Sequence, residues 1–266
     1  MQIIGEKING TRKQVKQAIA DRDVDFIQRL ARRQAEAGST WLDVNAGTPP
    51  DREPDDLVWL VETVQAVADV PLCLDSANPQ ALAAALKVVN QTPMINSISG
   101  EPQRLENVLP FVVEHGCSVI ALAMDDKGIP ESSEARLAVA RRVLEATRAA
   151  GVLDARVYVD ALTLTLSTDV QSAMLFCDTV RAVRAEYPDV HFVSGLSNIS
   201  FGLPARSYIN RAFLTLALAA GLDCAILDPL DRELKATLLA AELVLGRDRY
   251  CLTYTRAYRA GAFDKP

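Results

Sequence analysis

Two apolar patterns alternate along the chain. Short solid runs such as TWLDVN, PLCL, CSVIALAM, RVYVD, HFV and LDCAILD read as buried strands. Between them apolar residues recur every three or four positions, as on one face of a helix. Leu105, Val108, Leu109, Val112 and Val113 follow this rule. The pattern predicts a first strand at Ile3-Ile4 that ends at Gly5-Glu6-Lys7. A helix from Val24 then runs through Ile27, Leu30, Ala31 and Ala35, and others follow over 57–64, 81–88, 105–113, 134–149, 170–186, 209–220 and 233–245. Four helices stop in glycine directly before a strand, at Gly38, Gly116, Gly151 and Gly221. Glycine is the residue that best tolerates the left-handed conformation past a helix end.

Strand and helix thus alternate about eight times, and strands joined by helices must run parallel and be covered from outside. Eight such units close into a (β/α)8 barrel, so the expected fold class is α/β, a single TIM-type barrel over residues 1–266. An open doubly wound sheet is the alternative, although no G-x-G-x-x-G follows the first strand. No linker, low-complexity tract or charge block divides the chain, and 266 residues at 49% hydrophobic suit one domain of this size.

Net charge is −6 with no Lys/Arg-rich run, which argues against nucleic acid and membrane as partners. No apolar run reaches the ~18 residues that span a bilayer. The start, MQIIGEKING, lacks a basic region before an apolar one, so no signal peptide is expected and a cytoplasmic location is. Five widely spaced cysteines (Cys73, Cys117, Cys177, Cys224, Cys251) fit buried, reduced thiols. A thiolate zinc site is the rival, but there is no C-x-x-C, and His115 and His191 lie far apart. No bound metal is expected.

In such a barrel the strand carboxyl ends share one face, where active sites lie. The predicted strands end in Glu6, Asp43, Asn45, Asp75, Asn96, Asp160, Asn198 and Asp228. Any one of these reads equally well as a helix N-cap; a cap at every strand end is a poorer account than a site. Val193-Ser194-Gly195-Leu196-Ser197-Asn198-Ile199-Ser200 is the most telling stretch, because an amide follows a buried strand among small residues. Carboxylates interspersed with amides suit a neutral heterocycle rich in N–H donors, and a pterin edge is one.

At these residues the chain resembles a known family. LDVNAG, LCLDS, MINSISGE, MDDKGIP, YVDAL and above all SGLSNISFGLPARSYINRAFL are similar to the methyltetrahydrofolate:corrinoid-protein methyltransferases. They are equally similar to the folate-binding domain of cobalamin-dependent methionine synthase. The resemblance runs from IIGEKING to AILDPLDREL, nearly the whole chain. It implies a pterin-binding barrel of the dihydropteroate synthase kind, in which Asp75, Asn96 and Asp160 hold the pterin. It also implies that Asn198 meets N5, with Gly195 and Ser197 in the same motif and Arg206 near the folate. Glu6, Asp43 and Asn45 remain further strand-end candidates. Phe201 stands where some corrinoid-protein enzymes carry Gln, and Ala161 where Pro is common.

The implied activity is transfer of the N5 methyl group between methyltetrahydrofolate and the cobalt of a corrinoid (cobalamin). No D-x-H-x-x-G corrinoid motif occurs, so the corrinoid is expected on a separate partner protein. The direction of transfer stays open. A homodimer is expected to pair through flank helices, leaving the open face to that partner. A non-catalytic folate-binding subunit is one alternative. A dihydropteroate synthase is another, although GEKING replaces its N-x-T-P-D-S-F start.

Overall fold

The computed structural model describes residues 1–263, so the last three residues of the expected domain, 264–266, lie outside the described residues. Eight strands form one sheet: β1 (Gln2–Asn9), β2 (Trp41–Asn45), β3 (Leu72–Asp75), β4 (Met94–Ser99), β5 (Ser118–Leu122), β6 (Val157–Asp160), β7 (His191–Val193) and β8 (Cys224–Leu227). Every neighbouring pair is parallel, and β8 pairs with β1. Between β7 and β8 a parallel bridge joins Gly195 to Ile226, and the Ile226 N–H donates to the Ser194 carbonyl at 2.9 Å. That seam brings the sheet nearly to closure, so the fold is the expected TIM-type barrel rather than an open doubly wound sheet.

Alternation along each strand sorts side chains to two faces. Leu42 and Val44, Leu72 and Leu74, Val157 and Val159 belong to the large outer core that packs against the helices. Ile4, Cys73, Met94, Ile120, Tyr158, Val193 and Cys224 form a separate cluster inside the barrel. One inward step further along β1, β2, β3, β4 and β6 comes Glu6, Asp43, Asp75, Asn96 and Asp160. The polar strand ends therefore sit on an apolar floor.

Ten helices surround the sheet among the described residues: α1 (Lys13–Asp21), α2 (Val24–Glu36), α3 (Glu53–Gln65), α4 (Pro79–Leu86), α5 (Pro102–Glu114), α6 (Ser133–Ala149), α7 (Ser172–Glu186), α8 (Arg206–Ala220), α9 (Arg232–Val244) and α10 (Leu252–Arg259). The four predicted glycine stops all have positive φ: Gly38 92°, Gly116 66°, Gly151 81° and Gly221 121°. Side chains of Asp23, Asn78, Ser132 and Asp231 cap α2, α4, α6 and α9 by accepting from backbone N–H groups, each worth ~1 kcal/mol. None of the strand-end candidates is an N-cap. That removes the capping alternative for them and leaves their polar groups to another purpose.

Two helices have no counterpart in the sequence reading. α1 buries only Val15, Ala18 and Ile19, and α10 buries none of its residues. β1 continues to Asn9, beyond the expected stop at Lys7, whereas β7 is only three residues long and gives way to a 3-10 turn over Leu196–Ser200.

The loops leaving β1 and β2 cross at very close range. A Cβ on Gly10 would lie 1.8 Å from the Ala46 carbonyl oxygen, and one on Gly47 would lie 2.8 Å from the Gly10 carbonyl carbon. Gly10→Ala is expected to push these loops apart and lower stability by about 1–3 kcal/mol. Thermal unfolding of variant and parent checks it; an unchanged melting temperature would contradict the crossing.

Candidate functional site

At the carboxyl end of the barrel a cavity of about 310 Å³ is lined by Glu6, Asn9, Thr11, Arg12, Asp43, Asp75, Asn96, Gly195, Ser197, Asn198 and Ile226. Seven of the sequence candidates meet there: Glu6, Asp43, Asp75, Asn96, Gly195, Ser197 and Asn198. Asn45 stands beside them and donates from Nδ2 to Asp75 Oδ2 at 2.8 Å. Asp160 and Arg206 are not in the lining. Larger cavities lie on the flank between the loop after β5 and α6 and at the opposite end of the barrel, away from these groups.

Asp43 is the most buried of the acids, at 2% exposure, and its Oδ1 has no hydrogen-bond partner. Burial, and then the negative charge of Asp75, push its carboxyl well above the usual carboxylate range. Burial also raises Asp75, against the hydrogen bond from Asn45, and raises Glu6, against the nearby Arg12 guanidinium. Asn45 Oδ1 is a second buried acceptor with no partner. A buried acceptor without a donor costs free energy that an incoming N–H group would recover. The site thus holds two unsatisfied buried acceptors, Asp43 Oδ1 and Asn45 Oδ1, and its acids hold protons more readily than free carboxyls do.

Asp160 ends β6 on the same inner face, outside the cavity lining. Its Oδ1 accepts from the Leu162 N–H at 2.8 Å, and burial pushes its pKa up to about 6 from 3.8. Leu162 itself adopts a left-handed φ of 61°.

Asn198 projects from the 3-10 turn and is exposed at the mouth. Its amide lies across Gly195, where an added Cβ would come within 2.9 Å of Asn198 Nδ2. Glycine is needed here for that close approach, not for an unusual φ. The turn is tied to α8: Arg206 Nη2 donates to the Ser197 carbonyl at 2.7 Å and Nε to Ser200 Oγ at 3.0 Å. Ser200 Oγ also donates to Asn210 Oδ1 at 2.7 Å. Arg206 therefore grips the loop that carries Asn198.

Several groups escaped the sequence reading. Asn9, Thr11 and Arg12 line the mouth because β1 runs longer than expected, and Thr11 folds back on Asn9 Oδ1 through both N–H and Oγ1. Lys7 also reaches a strand end, where its Nζ pairs with Asp228 Oδ2 at 2.6 Å. The signal was the polar turn KINGTR after the first strand. Among the described residues no group of three or more His, Cys, Asp or Glu side chains could hold a metal ion, and no helix is long and apolar enough to cross a membrane.

Comparison with known proteins places this geometry. A family model described as pterin binding enzyme matches residues 5–228. A methylcorrinoid:tetrahydrofolate methyltransferase from Eubacterium limosum is 38% identical over 263 residues, covering 98% of this chain and 97% of that protein. A methionine synthase from Mycobacterium leprae is 30% identical over 237 residues; the match covers 84% of this chain and 20% of that much longer protein. Among solved structures, a Yersinia pestis DHPS with a pterine-sulfa conjugate superposes with a TM-score of 0.68 over 92% of this chain and 93% of that one. At 17% identity it shares the fold.

Proposed function

Given that the chain belongs to the pterin-binding enzymes, and among them to the methyltransferases acting between tetrahydrofolate and corrinoids, we propose that it transfers the N5 methyl group between methyltetrahydrofolate and a corrinoid held by a separate protein. The observation that carries this reading is the convergence of Asp43, Asp75, Asn96 and Asn198 on one cavity with unsatisfied buried acceptors. A pterin edge supplies adjacent N–H donors, and a carboxylate accepts two of them side by side. Asp75, Asn96 and Asp160 form the clamp, while Glu6, Asp43 and Asn45 complete its polar surroundings. Gly195 and Ser197 shape the turn, and Arg206 steadies it near the folate.

Transfer breaks the N5–methyl bond and leaves its electron pair on N5, which must gain a proton or hydrogen-bond stabilisation by the transition state. The corrinoid is the methyl acceptor in this sense and the donor in the reverse, so the protein needs no nucleophile of its own. The same residues serve both directions. Asn198 at the mouth holds N5 through its amide, which donates or accepts without carrying charge. A homodimer would pair through flank helices and keep this face open, in a cytoplasmic setting that leaves the thiols reduced.

Two measurements test the reading. Calorimetry should show methyltetrahydrofolate binding, and either a reduced free corrinoid should gain methyl from it or a free methylcorrinoid should lose methyl to tetrahydrofolate. No binding at millimolar folate would sink the proposal. Binding without transfer to any corrinoid would point to a non-catalytic subunit. Product from pterin pyrophosphate and p-aminobenzoate would point to a synthase.

Folate affinity should also depend on pH in a particular window. Asp160 is a charged acceptor with both oxygens open to N–H donors only when ionised, and its pKa of about 6 sets where that stronger acceptor is lost. Affinity is expected to fall by up to about tenfold per pH unit below that value. The free protein responds oppositely. Its raised pKa means that it takes up the proton before the unfolded chain does. The Asp160 contribution to stability therefore grows as pH falls from about 6 to 3.8. A dissociation constant flat from pH 7.5 to pH 5 would rule out an ionised Asp160 in the clamp.

A further inference from the structure

We propose that Arg136 is a positioning residue that sets the Asp160 carboxylate for the pterin, an inference that rests on the folate reading above. Arg136 lies in α6, has 0% exposure, and forms no salt bridge among the described residues. Its guanidinium serves main-chain carbonyls instead. Nε donates to Pro130 O at 2.9 Å, and Nη1 donates to both Ala161 O at 2.8 Å and Leu162 O at 2.7 Å. A fully buried cation in no direct salt bridge, with its Nη2 left without a partner, is costly, and a well-packed apolar side chain would fill the space at less expense. Its presence therefore points to work that the carbonyls require.

Those carbonyls belong to the two residues directly after Asp160. Leu162 is held at φ 61°, a conformation that a bulky side chain disfavours. The Leu162 N–H shares its peptide plane with the Ala161 carbonyl, so fixing that carbonyl aims the N–H at Asp160 Oδ1, 2.8 Å away. Arg136 fastens the turn from outside and ties it to Pro130 in the preceding loop. The path is short: Arg136, the Ala161 and Leu162 carbonyls, the Leu162 N–H, and the Asp160 carboxylate. Asp160 also receives the positive field of Arg136, which favours its ionised, accepting form. Asp169, the other charge near Arg136, sits in the loop before α7 and favours the charged guanidinium.

The same device recurs three strands away. Arg104 in α5 donates from Nη2 to Ser76 O at 2.8 Å and from Nη1 to Ala77 O at 2.6 Å, the two residues directly after Asp75. An arginine from a neighbouring helix thus grips the two carbonyls behind each clamp aspartate. Arg136 is the clearer instance, because Arg104 also has Glu101, Asp75 and Glu53 near it.

The test uses the full chain with Arg136→Met and Arg136→Lys, each alone and combined with Asp160→Ala. Arg136→Lys keeps the charge and carries the test if Arg136→Met does not fold. The dissociation constant for methyltetrahydrofolate is expected to rise about 5- to 30-fold, as for neighbours in one hydrogen-bond network. Turnover at saturating folate should stay within about threefold, since N5 is handled elsewhere. In the Asp160→Ala background the Arg136 substitutions should add less than about twofold. A purely structural arginine would cost the same in both backgrounds, and that result overturns the proposal. So does an unchanged dissociation constant in a folded Arg136 variant of a protein that binds folate. A parent protein that fails to bind folate would instead sink the functional reading itself.

Discussion

Asn198→Ala is expected to slow methyl transfer about 10²–10³-fold, the loss seen when one preorganised stabilising group is removed. N5 departs as an amine nitrogen, and as an amide anion it would be a very poor leaving group. Stabilisation must therefore meet it in the transition state. The Asn198 amide is too weak an acid to protonate N5 at neutral pH. It can hold the ring, donate a hydrogen bond, or accept one from protonated N5 while a proton enters through water. The nearby cations are engaged elsewhere: Lys7 pairs with Asp228 at 2.6 Å and Arg12 with Glu6 at 3.7 Å. Folate affinity should fall less than the rate, because the clamp lies elsewhere. Single-turnover transfer to a free corrinoid at several pH values measures this. A variant with the parent's rate and pH profile would show that another group meets N5.

Asp160→Ala is expected to weaken folate binding about 10- to 150-fold. A hydrogen bond to a charged acceptor is worth ~1.5–3 kcal/mol, and the alanine variant leaves ring N–H groups facing apolar surface. The loss should be largest at pH 7.5 and shrink toward pH 5. In acid the parent is also protonated at Asp160, whose pKa is about 6. Calorimetry at both pH values provides the comparison. Equal affinities for a folded variant and parent at pH 7.5 would remove Asp160 from the site.

The barrel and most of its strand-end residues were legible in the sequence because two periodicities do not interfere. LDVN, LCLD and VYVD show why: the leucines and valines at alternate positions face the helices, while Asp43, Asp75 and Asp160 share the inner face with Cys73 and Tyr158. A solid apolar run thus announces a strand, and the acid that ends it announces which face carries the chemistry. Arg136 was hidden because nothing in its local pattern marks it. It occupies a helical position among alanines and valines, and its value comes from carbonyls about 25 residues away. α1 was hidden for the opposite reason, since three small or medium apolar side chains among lysines and glutamines make a weak stripe. Arg206 was readable as a candidate, but it lies outside the cavity lining, and its contacts to Ser197 and Ser200 were not readable.

The seam between β7 and β8 gives the wall that carries Asn198 a distinct mechanical character. β1 extends over Gln2–Asn9, whereas β7 covers only His191–Val193, and beyond it a single bridge at Gly195 holds the register. A wall with few ladder bonds opens at lower free energy than the rest of a barrel. The turn over Leu196–Ser200 is held by side chains instead: Leu196, Ile199 and Ser200 are buried, and Arg206 donates to the Ser197 carbonyl. The position of Asn198 therefore rests on packing and on one arginine rather than on strand pairing.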